Sequence, residues 1–125
     1  MLNGAKAFSG FAVDDIGKAK QFYGETLGVR VSEENGLLHL HIAGDRDTLV
    51  YPKEDHTPAT FTILNFPVED VERAVDDLTA RGVRFEHYDG PGPTTDAKGI
   101  HRSPEVRPVA WFRDPAGNIL SLIEE

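Results

Sequence analysis

Residues 11–19 read Phe-Ala-Val-Asp-Asp-Ile-Gly-Lys-Ala, and residues 66–74 read Phe-Pro-Val-Glu-Asp-Val-Glu-Arg-Ala. In each copy an alternating apolar run stops at two acidic residues, a helical pattern follows, and Gly-Val opens another strand, at Gly28-Val29 and again at Gly82-Val83. The first copy is one residue longer between its acids and its glycine. Similarity patterned in this way predicts a duplicated supersecondary unit. One such unit leaves a face of its sheet uncovered, so two are expected to combine around a core.

Working outward from the first copy, Ala5 to Val13 reads as a strand, with Phe11 and Val13 on one face and Phe8, Gly10 and Ala12 on the other. Asp14 and Asp15 suit a helix start, where a carboxylate accepts from free backbone N–H groups and meets the positive end of the dipole. Ile16, Ala19, Tyr23 and Leu27 recur at helical spacing until Gly28 stops the helix. Val29–Ser32, Leu37–Ala43 and Thr48–Tyr51 read as strands, the last two joined across Gly44-Asp45-Arg46-Asp47.

The second copy repeats the order. Thr60 to Phe66 is its first strand, and Val71, Ala74, Val75 and Leu78 make the apolar stripe of its helix. Val83–His87, Val109–Arg113 and Asn118–Ile123 follow as strands. The last two form a hairpin around Asp114-Pro115-Ala116-Gly117, which suits a type I turn closed by a glycine bulge. Tyr88 to Pro108 has no apolar periodicity and begins Gly90-Pro91-Gly92-Pro93 after its first two residues. It is expected to be a long loop, of the kind that is functional or mobile in a compact domain. The expectation is one domain over 1–125, built from repeats 5–52 and 59–125.

Composition bounds the rest. The 125 residues are 39% hydrophobic and 27% charged, ordinary for a globular chain. A net charge of −8 argues against a nucleic-acid backbone or an anionic membrane as partner. There is no cysteine, so disulfide and thiolate chemistry are absent. No apolar run approaches a membrane span, and the first residues lack the pattern of a signal peptide, so a cytoplasmic protein is the default expectation.

The runs Phe-Ala-Val-Asp-Asp-Ile-Gly-Lys-Ala-Lys-Gln-Phe-Tyr-Gly-Glu-Thr-Leu-Gly (11–28) and Phe-Arg-Asp-Pro-Ala-Gly-Asn-Ile-Leu-Ser-Leu (112–122) resemble the vicinal oxygen chelate superfamily. That group contains glyoxalase I, bleomycin-resistance proteins and extradiol dioxygenases. The resemblance implies an α+β fold of two βαβββ modules forming a cupped mixed β-sheet, often in a homodimer. It also implies a divalent metal held in the cup of the enzymes by His and Glu. The first ligand lies seven residues before the Asp that opens the helix, which gives Phe8 in the first half and Ile63 in the second. The ligand in the strand closing the first half falls on Val50. The last lies four residues after the glycine of the Asp-Pro-x-Gly turn, at Ser121. Phe, Ile and Val offer no lone pair to a metal, so no metal and no other cofactor is expected.

His39 and His41 lie two apart on one strand and so share a face. They read either as part of a relocated metal site or as the outward alternates of Leu38, Leu40 and Ile42. Matching the family face by face places Phe8 and Gly10 in the cup with Val50, and Phe61, Ile63 and Asn65 from the second half. The bulged hairpin pairs Trp111 with Ser121 and Arg113 with Ile119, and all four are expected to face inward. Such a lining suits either a small-molecule pocket or a filled core. The reading favoured here is a binding protein for a hydrophobic or aromatic compound, of the resistance or sequestration type, with no catalytic residue. The alternatives are a glyoxalase- or dioxygenase-like lyase, isomerase or oxygenase with non-standard ligands, and a regulatory module with a vestigial pocket. Arg113 would favour an anionic group on the ligand. Lys98 or Arg102 would meet the same group if the 88–108 loop were a lid.

Overall fold

Asp15 and Asp70 open their helices in the same way. Each sits extended at φ −140°, and each carboxylate accepts from the backbone N–H three residues on, Lys18 at 3.0 Å and Arg73 at 3.1 Å. Each acid thus satisfies one of the free donors that begin a helix, which is why the strand pattern breaks there.

The computed structural model describes residues 1–43 and 46–125, which fall into two units, Met1–Pro58 and Ala59–Glu125. The first contains β1 (Gly10–Val13), α1 (Ile16–Gln21), a π-helical turn (Phe22–Thr26), β2 (Arg30–Glu34), β3 (Leu37–His41) and β4 (Thr48–Pro52). The second contains β5 (Thr62–Val68), α2 (Val71–Ala80), β6 (Ile100–His101), β7 (Val109–Arg113) and β8 (Ile119–Glu124). Both sheets have the same topology, β1-β4-β3-β2 and β5-β8-β7-β6. In each the first strand lies parallel to the last and the other pairs are antiparallel.

The extra residue in the first repeat has a structural address. The helix there passes into the π-helical turn before Gly28 reverses the chain at φ 73°, whereas α2 runs uniformly to Gly82 at φ 94°. A π turn is how one inserted residue is absorbed without rotating the rest of a helix. Tyr23 sits in that turn, fully buried, with its ring 5.8 Å from that of Phe11.

One face of each sheet packs on its helix. In the first unit Phe11, Val13, Leu38, Leu40 and Val50 are buried there with Ala19 and Tyr23. In the second Ala110, Phe112, Leu120 and Leu122 are buried with Val71 and Val75. Each large aliphatic side chain so placed contributes about 1.5–3 kcal/mol. The Glu124 carboxylate adds a second cap to α2 by accepting from the Val71 N–H at 3.0 Å.

The last hairpin closes as expected. Gly117 N–H donates to the Asp114 carbonyl at 3.0 Å, Gly117 is at φ 86°, and the buried Asp114 carboxylate accepts from the N–H groups of Ala116 and Asn118. Three expectations need correction. The first strand begins at Gly10, not Ala5, and Phe8 before it is exposed. Val83–His87 is not a strand of the sheet: it contributes one bridge, Phe85 to Phe112, and one bond from Glu86 N–H to the Trp111 carbonyl. The rest of that edge of β7 is taken by Ile100–His101, a strand inside the stretch expected to be loop. Gly99, at φ 88°, brings it there: a Cβ at that position would lie 2.9 Å from the Phe85 side chain. Of the turn expected across Gly44-Asp45-Arg46-Asp47, Gly44 and Asp45 lie outside the described residues.

Candidate functional site

The face of the second sheet that α2 leaves open carries a pocket of 470 Å³. Its walls include Phe61, His87, Tyr88, Pro91, Trp111 and Ile119. Tyr88 meets Trp111 edge-on with ring centroids 5.6 Å apart, and the His101 ring lies 6.2 Å from that of Trp111. Phe61 is 68% exposed, an apolar ring left in contact with solvent. The strand ends of β5, β7 and β8 fix one side of the pocket, and the Gly90-Pro91-Gly92-Pro93 run folds over to make the other. Sequence reasoning missed Tyr88, His87 and Pro91. The signal was present in that Gly/Pro run, which turns the chain so that Asp89 bridges Thr94 and Gly90, Pro91 and Pro93 line the pocket.

The loop's cations do not reach this pocket. Lys98 Nζ contacts Glu72 at 3.3 Å and Asp76 at 3.0 Å, and Arg102 contacts Glu72 at 2.9 Å, so both are tied to α2. The hydrogen bond from Lys98 to Asp76 is the foremost cause that raises its pKa. His87 donates from Nε2 to the Ala97 carbonyl, and His101 from Nδ1 to the Thr94 carbonyl. A carbonyl only accepts, so each ring spends a proton holding the loop. The start of the loop lines the pocket and His101 lies beside Trp111, while Lys98 and Arg102, the cations expected of a lid, are not among its walls.

The sequence-predicted site residues separate into groups. Phe61, Trp111 and Ile119 line the pocket just described. Ile63 is the extra residue of a bulge, since Thr62 pairs with Ile119 and Leu64 with Leu120. Asn65 and Ser121 pair with each other, and the Ser121 hydroxyl donates to the Asn65 amide oxygen at 2.5 Å. Arg113 is opposite Ile119 as expected, but its guanidinium donates to Glu86 at 2.6 Å and to the Gly117 carbonyl at 3.2 Å. The Glu86 hydrogen bond raises the pKa of Arg113 further, and the paired charge is not offered to an anionic ligand.

Phe8 lines a second pocket of 410 Å³ in the first unit, with Leu37, His39, Leu49, Arg46 and Asp47. Gly10 lines neither pocket; a Cβ there would lie 3.1 Å from the Leu49 carbonyl oxygen. Val50 is a correction. It pairs with Phe11 and is fully buried on the helix side, while Leu49, opposite Gly10, faces the open side. The internal repeat says the same: Phe66, the counterpart of Phe11, pairs with Leu122, so Ser121 corresponds to Leu49. A one-residue slip in reading a strand moves every side chain to the wrong face. His39 and His41 sit on the open face, with Leu38 and Leu40 buried beneath them.

Of the positions that the resemblance gives to metal ligands, Phe8, Ile63 and Val50 (or Leu49, its neighbour on the open face) carry hydrocarbon side chains, and Ser121 donates its hydroxyl to Asn65, a donor set that does not fit a divalent cation. Among the described residues no group of three or more His, Cys, Asp or Glu side chains is placed to hold one. Among them, too, no helix is long and apolar enough to cross a membrane.

Two four-stranded sheets of the same topology, each with its helix, and the turn at Asp114–Gly117 define the class. The chain belongs to the Glyoxalase/Bleomycin resistance protein/Dioxygenase superfamily, whose family model matches residues 7–122. It is 26% identical to the uncharacterized protein YraH of Bacillus subtilis (strain 168), over 88% of this chain and 90% of that one. Among solved structures it is similar to TnmS3, an antibiotic binding protein from Streptomyces sp., with 26% identity, a TM-score of 0.62 and 95% of each chain covered. It also shares its fold with the fosfomycin resistance protein FosX of Listeria monocytogenes, with 15% identity and a TM-score of 0.70 over 95% of this chain and 91% of that one.

Proposed function

We propose that this chain is a small-molecule-binding member of the superfamily that works without the family's metal and holds a hydrophobic or aromatic compound in the pocket of its second unit. The observation that carries the reading is the aromatic wall itself: Trp111 and Tyr88 set edge to face, with Phe61 left exposed beside them. A concave site of this size, mostly apolar with a few polar groups, is what a drug-sized ligand needs. Its likeness to an antibiotic binding protein supports a sequestering role over a catalytic one. A homodimer in the cytoplasm completes the proposal. Phe8, Tyr51 and Phe61 are large apolar side chains exposed in the single chain, and light scattering at micromolar concentration should give twice the 13.8 kDa chain mass.

Trp111 is the sole tryptophan, so intrinsic fluorescence reports on this pocket directly. Protein dialysed against EDTA should show saturable quenching with bicyclic and tricyclic aromatic probes. Phe61→Ala should weaken that binding about 10-fold, the loss of roughly 1.4 kcal/mol of ring contact. Binding or turnover that appears only when zinc or manganese is added would overturn this reading in favour of a metal-dependent enzyme.

A further inference from the structure

The open face of the first sheet carries a second constellation that the aromatic pocket does not use. Ser32 Oγ lies 2.7 Å from His41 Nε2, and His41 Nδ1 lies 3.0 Å from Asp47 Oδ1. The carboxylate can only accept, so it fixes the imidazole proton on Nδ1 and leaves the Nε2 lone pair to accept from the Ser32 hydroxyl. This is the connectivity of a nucleophile, a general base and the carboxylate that orients it.

Backbone register places the rest. Ser32 is directly opposite His39, and His41 directly opposite Arg30, so these four side chains share one face of the β2–β3 pair. Ser32 is exposed on the edge strand, open to an incoming substrate, while the His41 side chain is only 26% exposed. His39 also lines the 410 Å³ pocket, together with the apolar Phe8, Leu37 and Leu49 and the charged Arg46 and Asp47. An acyl chain in that pocket would bring its carbonyl to the Ser32 edge, with Arg30 and His39 on the same face as candidate donors to the oxyanion.

We propose that Ser32, His41 and Asp47 hydrolyse small acyl esters whose apolar chain occupies the pocket of Phe8, Leu37 and Leu49. Ser32 Oγ adds to the ester carbonyl while its proton passes to His41 Nε2. The C–O bond to the alcohol breaks as His41 returns that proton to the leaving oxygen, and Ser32 is left acylated. Water, giving a proton to His41, then adds to the acyl carbon; the proton goes back to Ser32 Oγ as the acid departs. Water is the sole co-reactant. Ser32 and His41 are the catalytic residues, and Asp47 is a positioning residue.

The test uses the full chain with p-nitrophenyl butyrate as substrate and a fluorophosphonate probe read by peptide mass spectrometry. One label per chain should fall on Ser32, and Ser32→Ala should abolish both label and hydrolysis above the buffer rate. His41→Ala should slow hydrolysis about 100-fold, the low end for a positioned base. Asp47→Asn should lower kcat with KM unchanged. Labelling of the unmutated chain decides the matter even if a variant folds poorly. No label on Ser32, or equal hydrolysis by the parent and Ser32→Ala, would show that the three groups are only a surface hydrogen-bond network.

Discussion

The two units share a backbone and differ in what they do with their open faces. On the helix side the repeat is conservative in kind: Phe11 corresponds to Phe66, Val13 to Val68 and Val50 to Leu122. On the other face Gly10 corresponds to Asn65 and Leu49 to Ser121; the first unit presents Ser32, His39 and His41, and the second an aromatic pocket. The helix side must interdigitate at close to crystal density, so each change of volume is felt there. The open face is less uniformly packed: Ser121 is buried there, but Phe61 and Ser32 are exposed. A duplicated fold thus keeps one face for stability and leaves the other to diverge in chemistry.

The sharpest break of that comparison is a pair of substitutions in one strand. Val50→Asn places an amide in a dry core with no partner and should cost about 3 kcal/mol. Leu49→Asn, one residue away on the open face, should stay within about 1 kcal/mol. Urea denaturation of both variants checks the register; equal losses would mean that the faces are assigned wrongly.

A smaller effect belongs to the second unit alone. Gly99→Ala forces a side chain into the left-handed region and against Phe85, and should cost about 2 kcal/mol. Faster exchange of the Ile100 and His101 amides is the local sign to look for. The effect should be absent from the first unit, which has no counterpart of this strand inside a loop.

The smallest effect is a pH dependence at the same place. Asp96 accepts from the N–H groups of Lys98 and Ile100, both at 2.9 Å. Burial raises its pKa, but those two bonds and the charge of Arg102 together hold it below 3.8. A depressed carboxyl stabilises the fold fully above its unfolded value and loses that contribution as pH falls through the folded one. The contribution of this group to thermal stability should thus be full and constant between pH 5 and 8 and decline below about pH 4. Asp96→Asn should flatten that acid limb slightly.

Much of this was legible in the sequence because the relevant physics is local. The two acidic caps, the glycines that stop each helix and the Asp-Pro-Ala-Gly turn each carry their own backbone preference, and the family followed from them. The short strand at Ile100–His101 was not legible, since two residues have no period and are held by a distant edge. The face of Val50 was misread because both neighbours are apolar, so alternation gave no cue; the pairing of Phe11 decides it. The charges of Arg113, Lys98 and Arg102 were read as available, but their partners Glu86, Glu72 and Asp76 lie far away in the chain.

The measurement that tests the central claim most directly is amide chemical-shift mapping of the metal-free protein with the tightest aromatic probe from the fluorescence panel. The account predicts saturable shifts at residues 60–62, 87–90, 111 and 119, with the first unit's Leu37, His39 and Leu49 unmoved. Shifts confined to the first unit, or none until a divalent metal is supplied, would contradict it.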